Sequence, residues 1–281
     1  MFIKASQFVP APPGPDLEAR LGDLLGWMSA AHRDEFDPVV AAAMAHYLFE
    51  ALHPYHDGTL VFGEFLMQKT RANLGVCDTV SVAVLDDTFT GWSIKGRFRG
   101  FETRGERLDF VNTLPLLRYN AYTGARAAGT IEIIEVSSAI SMSRHSVLSS
   151  YLRARAVAAF SSRNARRPCM PLQVAEKFRR MGAVRAAACR DRDGFPRAFP
   201  LLACVPAGNN RLVLCDPFTN AGLNGVAPGA RMAVAVITRE PIAYQVKGAY
   251  AGTRAGAALI ELDACYSASP PLHGRRLAYA V

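Results

Sequence analysis

The chain has 281 residues, of which 50% are apolar and 20% are charged, and its formal net charge is +8. This composition is typical of a folded globular protein and argues against a disordered chain. No apolar run is long enough for a transmembrane helix, and the first residues lack the apolar core of a signal peptide, so we expect no membrane partner.

The six cysteines are scattered and include no C-x-x-C pair. We therefore expect neither a disulfide framework nor a metal cluster, and we expect a reduced, cytoplasmic location. Much of the positive charge lies between Arg153 and Arg167. A solvated connecting segment explains this charge as well as a nucleic-acid surface does. Because no motif that reads nucleic acid accompanies it, nucleic acid is not the expected partner.

The first fifty or so residues carry the pattern of two helices. Apolar residues recur at helical spacing from Leu17 to Met28, after the helix-breaking stretch PAPPGP. A second helix is predicted to begin at Asp37-Pro38, where an acidic cap precedes a proline at the first helical position. It should end before Pro54, because a proline prevents its continuation.

The period then changes from helical to alternating. The stretch HPYHDG, residues 53–58, is typical of a loop after a helix, and a strand is predicted to begin at Thr59. Further on, Trp92, Ile94 and Phe98 alternate with polar residues. This alternation predicts a strand with one buried face and one solvated face.

The strand that contains Trp92 returns later in the chain as Tyr244–Gly252, at a constant shift of 152 residues. Two further segments return at the same shift: Val82–Leu85 as Val234–Ile237, and Leu60–Phe62 as Leu212–Leu214. Two copies exclude a solenoid and favour a tandem duplication. Between them, helices are predicted over about 143–160, with Val147, Leu148, Tyr151 and Leu152 facing inward, and over about 172–181.

The second copy, with the stretches MPLQVAEKFRRMGAVRAAACRDRDGFPRAFPLLACV, RLVLCD and AYQVKGAYAG, resembles the pyridoxamine 5′-phosphate oxidase-like split β-barrel that binds flavin. The first copy resembles the later part of the same unit, without its two opening strands. The resemblance covers about 59–136 and 170–268. It implies an α+β fold, with two tandem split β-barrel modules after an N-terminal helical segment. The expected domains are 1–58, 59–160 and 161–281.

The resemblance also implies a flavin mononucleotide (FMN) whose phosphate lies at the helix after the third strand. By position, Lys69, Thr70, Arg71 and Asn73 would hold the phosphate. The side chain of Trp92, or that of Tyr244, would pack near the flavin ring. Fixed cations and short donors near a helix start suit a phosphate dianion. A solvated basic turn and a core tryptophan are the alternatives. Relatives of this group also bind heme or a deazaflavin.

The matching stretch of the second copy, Phe218-Thr219-Asn220, has no lysine or arginine. The expected arrangement is therefore one cofactor in an intrachain pseudo-dimer, or a homodimer, that acts on a small-molecule substrate. Under this reading the protein is a flavin-binding oxidoreductase-like protein whose substrate and electron donor are not defined by the sequence.

The stretches FVPAPPGPDLEARLGDLLGWM and FDPVVAAAMAHYLFEALHPYHDG resemble the start of a Fic domain, which transfers adenylyl or related groups. The resemblance implies that His53 is the general base and that Asp57 holds magnesium. After Gly58, however, Thr-Leu-Val-Phe-Gly stands where the family has Asn-Gly-Arg, so the phosphate cradle is missing. The alternatives are therefore a degenerate Fic-type nucleotidyl transferase and a non-catalytic binding module. The spacing of His46, His53, His56 and Asp57 predicts no metal site.

Overall fold

The computed structural model describes residues 53–55, 57–64, 68–113, 124–161, 169–238, 242–268 and 275–277. The two helices predicted within the first 52 residues lie outside this part of the chain. The described helices are α1 (Gln68–Val76), α2 (Glu106–Thr113), α3 (Arg144–Ser161), α4 (Leu172–Arg179) and α5 (Pro217–Gly222). None of them combines the length and the apolarity that a helix needs to span a bilayer.

Two antiparallel sheets account for the described strands. The strands of the first sheet are β1 (His53–Pro54), β2 (Leu60–Gly63), β3 (Thr79–Leu85), β4 (Thr90–Glu102), β5 (Ala128–Val136) and β6 (Ile140–Ser141). The strands of the second are β7 (Val184–Arg190), β8 (Pro196–Leu201), β9 (Cys204–Pro206), β10 (Arg211–Leu214), β11 (Arg231–Ile237), β12 (Ala243–Arg254) and β13 (Ala257–Ser267).

The two sheets share one strand order. The first runs β1-β2-β5-β4-β3, with β6 paired to β4, and the second runs β8-β7-β11-β12-β13-β10-β9. Read from β9 to β11, the second sheet therefore repeats the first from β1 to β3. The fold class is α+β with two antiparallel half-barrel sheets, and the prediction of tandem split-barrel modules is confirmed.

The repeat is also kept in register, and it begins earlier than the sequence pattern indicated. His53 lies opposite Val61 in the first sheet, and Val205 lies opposite Val213 in the second. Each member of the second pair follows its counterpart by the same 152 residues. The sheet thus takes in residues on both sides of position 58, where the helical segment was expected to end.

The second sheet has two strands for which the described part of the first sheet shows no counterpart. In β7 and β8, Ala188 lies opposite Ala198, and a turn at Asp193-Gly194 joins them, with Gly194 at φ 84°. An Asp-Gly turn suits this position because glycine adopts a positive φ without steric cost. Strand β7 pairs with β11, which extends the second sheet by one hairpin.

The described chain divides into two compact units. One takes in the described residues up to Val80 together with Lys95–Val136, and the other takes in Ser81–Ile94 together with Ser137–Val281. In the first unit, Val61 and Ala128 of the sheet pack with Val111 of α2 and with Tyr55.

The larger hydrophobic cluster of the second unit lies on one face of its sheet. Alternate residues of β11 and β12, among them Val234, Val236 and Val246, are fully buried, as period-two alternation requires. Helix α4 covers this face through Val174 and Phe178, which are also fully buried.

Helix α3 covers the opposite face of the second sheet, but with a different stripe from the predicted one. Tyr151 is buried, as predicted, whereas Leu148 and Leu152 are exposed. The buried stripe continues instead through Ala154 and Ala158. Small side chains let the helix backbone approach the sheet closely, so packing distance rather than hydrophobicity selects the buried face.

Candidate functional site

The phosphate site predicted on α1 follows the end of β2. Glu64 comes directly after this strand, is buried, and has its backbone fixed by bonds to Arg126 and Ala127. Its carboxylate accepts a hydrogen bond from the Arg71 guanidinium, which also lies 4.8 Å from the centroid of the Phe101 ring. Arg71 therefore has a defined position, set by an ion pair and by a cation–π contact.

The other predicted residues of α1 are open to solvent where the structure describes them. Thr70 and Asn73 are exposed, and their side chains bond to no described residue. Lys69 lies on the same helix, but its side chain is outside the described part. Thr70 lies in the first turn, where the helix leaves backbone N–H groups without partners. The turn thus offers a hydroxyl and a positioned guanidinium at a helix start, which suits a phosphate group.

The structure buries Trp92, the residue that was predicted to pack near the flavin ring. It belongs to the second unit and is only 3% exposed. Trp92 is therefore a core residue in this structure. Its indole Nε1 is buried and has no hydrogen-bond partner among the described residues.

In the second copy, the helix start that corresponds to α1 is capped by a buried carboxylate. Asp216 stands 152 residues after Glu64 and caps α5 by accepting bonds from the Thr219 amide and hydroxyl, at 2.8 and 2.9 Å. Its other oxygen accepts from the amides of Leu202 and Ala203, each at 2.9 Å. Burial raises the pKa of Asp216, although these bonds oppose the shift. A buried acidic group at this helix start leaves no place for a phosphate.

The Fic-like motif is built into a hairpin rather than into a catalytic loop. His53 and Pro54 form β1, and the chain returns through Asp57-Gly58 into β2, with Gly58 at φ 84°. Asp57 accepts from the Thr59 amide at 3.0 Å and from the Thr59 hydroxyl at 2.7 Å. It also accepts from Arg107 of α2 at 2.6 Å. The carboxylate that the resemblance assigned to magnesium is thus occupied by turn and ion-pair contacts.

The pair between Asp57 and Arg107 predicts a pH-dependent contribution to stability. Burial would raise the pKa of Asp57, but hydrogen bonds from Thr59 and Arg107 outweigh it and lower this pKa. A carboxylate with a lowered pKa in the folded state stabilises the fold above its unfolded pKa of about 3.9, and this contribution is lost as the pH falls.

We therefore expect Asp57→Asn to lower the urea midpoint of unfolding at pH 7, and the difference from wild type to shrink between pH 5 and pH 3.5. Asparagine keeps a neutral acceptor for Thr59, so the variant removes the pair with Arg107 and the charge that strengthens the bonds from Thr59. A difference that stays constant over this range would show that the charge of Asp57 makes no pH-dependent contribution to stability.

Two comparisons with known proteins bear on this description. The Fic/DOC family model matches residues 3–69, which confirms the resemblance of the N-terminal segment and extends through β1 and β2 to the start of α1. A crystal structure of tagged HupZ from Group A Streptococcus is similar with a TM-score of 0.30 and 11% sequence identity. The alignment covers 38% of this chain and 99% of that chain.

Four contributors to these sites were not predicted from the sequence: Glu64, Phe101, Arg107 and Asp216. Glu64 and Asp216 could have been found, because they occupy the same position of the repeat and are both acidic. Phe101 and Arg107 reach their partners only through the folded chain, and no local pattern marks them. Among the described residues, no cluster of His, Cys, Asp or Glu is suited to a metal ion.

Proposed function

We propose that this protein is a flavin-binding oxidoreductase-like protein of the pyridoxamine 5′-phosphate oxidase-like group, and that α1 binds the phosphate of FMN. The observation that carries the proposal is the position of Arg71. The Glu64 carboxylate and the Phe101 ring hold its guanidinium in a defined position on the helix that also carries Thr70. A positioned guanidinium loses less entropy on binding a phosphate than a free arginine does.

The charge balance at α1 favours a phosphate only if several groups act together. Glu64 is 11% exposed, and it partly neutralises Arg71, which is 51% exposed. The remaining guanidinium donors of Arg71, the ammonium of Lys69, the hydroxyl of Thr70 and the free amides of the first turn would share a dianion. Asn73 would hydrogen-bond from the next turn.

The second copy supports a stoichiometry of one cofactor per chain. Asp216 fills the helix start that corresponds to α1, and no cation replaces it. We propose an intrachain pseudo-dimer, or a homodimer, in which only the first copy binds the phosphate. Trp92 is buried and would not stack on the flavin without a rearrangement of the core of the second unit.

The test is FMN titration of the full chain, followed by the fluorescence of the flavin. We expect Arg71→Ala to weaken binding about 10-fold to 150-fold, because a charge-assisted phosphate contact contributes roughly 1.5 to 3 kcal/mol. Thr70→Ala, which leaves the pair with Glu64 intact, should weaken binding by a smaller factor.

Arg99→Ala is the matched control for this titration. Arg99 is 54% exposed and also pairs with a glutamate, Glu132, so the variant loses the same charge and a similar ion pair. Equal FMN affinity in the Arg71 and Arg99 variants, or no FMN binding by the wild type, would refute the proposal. An absorbance spectrum of the purified protein distinguishes flavin from heme and from a deazaflavin.

A degenerate Fic-type nucleotidyl transferase is the second candidate, and the family match over residues 3–69 supports it. His53 would be the general base. The contacts of Asp57 with Thr59 and Arg107 count against it, because magnesium would have to displace them. Nucleotide-dependent labelling of a hydroxyl on a target is its test. The third candidate, a non-catalytic binding module, is favoured if neither flavin nor nucleotide changes the melting temperature.

A further inference from the structure

A second site lies within the second unit, away from α1. A cavity of about 430 Å³ opens between α3, the end of α4 and the turn that follows β9. Small-molecule sites in proteins have volumes of about 300 to 1,000 Å³. The cavity is therefore large enough for a small organic ligand, and its walls define the chemistry of that ligand.

Two arginines line the cavity from different helices. Arg179 belongs to the last turn of α4, and the hydroxyl of Tyr151 on α3 donates to its carbonyl oxygen at 3.0 Å. Arg155 lies one turn after Tyr151 on the same face of α3, because residues four apart are neighbours on a helix. The bond between Tyr151 and Arg179 thus fixes the two helices where the arginines enter the cavity.

Neither arginine has a carboxylate partner in the described part of the chain. None of the described residues that line the cavity is acidic, and the side chains of Arg155 and Arg179 form no described ion pair or hydrogen bond. Other arginines of the second unit are paired, for example Arg197 with Asp191 at 2.7 Å. Two unpaired cations that face one cavity create a positive potential that favours an anion.

The remaining wall is apolar. Ala158 and Ala159 of α3 line one side, and Val205 and Pro206 of β9 line the other. These side chains are small or rigid, so an apolar group can fill the space between them with little loss of side-chain entropy. The wall offers no side-chain hydrogen bond that would hold a sugar or a peptide.

We propose that this cavity binds a small organic phosphate monoester. Its dianionic phosphate lies between the guanidinium groups of Arg155 and Arg179, and its organic part lies against the alanines and Pro206. A phosphate is favoured over a carboxylate because its double charge matches two arginines. Its oxygens can also accept bidentate bonds from both planar forks at once. This site is independent of the flavin phosphate site on α1.

Phenyl phosphate is the probe, because it combines the dianion with a flat apolar body. Calorimetric titration of the full chain should show saturable binding. Because each arginine contributes about a factor of ten, the double variant R155A/R179A should bind about 30-fold to 100-fold more weakly. Both side chains are exposed, so the melting temperature should not change by more than a degree or two.

Three control variants test whether the binding belongs to this cavity. R144A/R190A removes two exposed arginines of the same unit outside the cavity, and it should bind phenyl phosphate as the wild type does. Arg71→Ala should also leave this binding unchanged, because it alters only the site on α1. Ala159→Trp, which fills the apolar side, should weaken phenyl phosphate binding more than the binding of inorganic phosphate.

Loss of phenyl phosphate binding in R155A/R179A, but not in the two arginine controls, establishes the site. Equal weakening in R155A/R179A and R144A/R190A overturns it, because that result reports only net charge. Absence of saturable binding by the wild type overturns it as well. FMN affinity measured on R155A/R179A should equal that of the wild type, so failure of either proposal can be told from failure of the other.

Discussion

Replacement of Arg185 by methionine is expected to lower the free energy of unfolding by about 4 kcal/mol, because a buried guanidinium closes the end of α4. Arg185 is only 2% exposed. It donates to the carbonyl oxygen of Phe178 at 2.9 and 3.2 Å and to that of Ala183 at 3.1 Å. It also donates to the carbonyl oxygen of Arg180.

Methionine would keep the apolar stem of Arg185 and remove all of these donors. The last carbonyls of a helix have no partners within the helix, and a buried carbonyl left without one costs roughly 1 to 3 kcal/mol. Burial lowers the pKa of Arg185, because the buried charge has lost its hydration. This desolvation reduces the stability that the hydrogen bonds of Arg185 contribute to the fold. Arg185→Lys should fall between wild type and the methionine variant, because one ammonium cannot reach every carbonyl.

The measurement is urea unfolding of the full chain, with Arg190→Met as the control. Arg190 ends the same strand, β7, and is exposed, so its replacement should change the free energy of unfolding by no more than about 0.5 kcal/mol. Similar losses in both variants would mean that the carbonyl bonds of Arg185 do not stabilise the end of α4.

The strands were predictable because their signal is repeated. The alternation around Ile94 and its return around Val246 predicted two copies of one sheet, and the structure places both strands in the same order. Strand β1 was missed, because two residues are too few to show a period. His53 and Pro54 were assigned to the end of a helical segment, yet they pair with β2.

The buried face of α3 could not be derived from hydrophobicity alone. Leu148 and Leu152 are more apolar than Ala154 and Ala158, but the alanines are buried and the leucines are exposed. The face is decided by how closely the helix approaches β9 and β10, which depends on side-chain volume on both partners. These volumes act through tertiary contacts, which the pattern of a single sequence does not show.

The sequence indicated where a candidate phosphate site would lie, but it did not indicate which contacts position Arg71. A basic stretch at a helix start is visible in the sequence. The contacts that position Arg71 of α1 come from Glu64 after β2 and from Phe101 of β4, which no local pattern relates to it. The cavity at Arg155 and Arg179 was not predicted at all. Its arginines are 24 positions apart and line one cavity beside the hydrogen bond between Tyr151 and the end of α4.

One repeated position shows how the two copies diverged. After β2 the first copy has Glu64, which forms an ion pair with an arginine one turn into a nine-residue helix. After β10 the second copy has Asp216, which caps a six-residue helix itself. The shorter side chain folds back onto the helix start, whereas the longer one reaches a cation. The same acidic position thus positions an arginine in one copy and caps the helix in the other.

Replacement of Gly248 by alanine is expected to lower the free energy of unfolding by about 3 kcal/mol, since the added methyl group meets backbone that cannot move away. Strand β12 changes register against β13 between Lys247 and Gly248. At this bulge the Cβ atom would overlap the carbonyl oxygen of Glu261 and lie 2.9 Å from the Cα atom of Leu262. This overlap can be removed only if β12 and β13, two central strands of the sheet, move apart.

The repeat provides both a second test and a control. Gly96 stands at the same repeat position in β4, where an added Cβ atom would lie 2.7 Å from the carbonyl oxygen of Glu132, so Gly96→Ala should also destabilise the fold. Gly75, in α1, has no atom within 4 Å of an added Cβ, and Gly75→Ala should be neutral or stabilise by about 0.5 kcal/mol. If all three variants unfold at the same urea concentration, close strand approach is not the reason why both copies have glycine here.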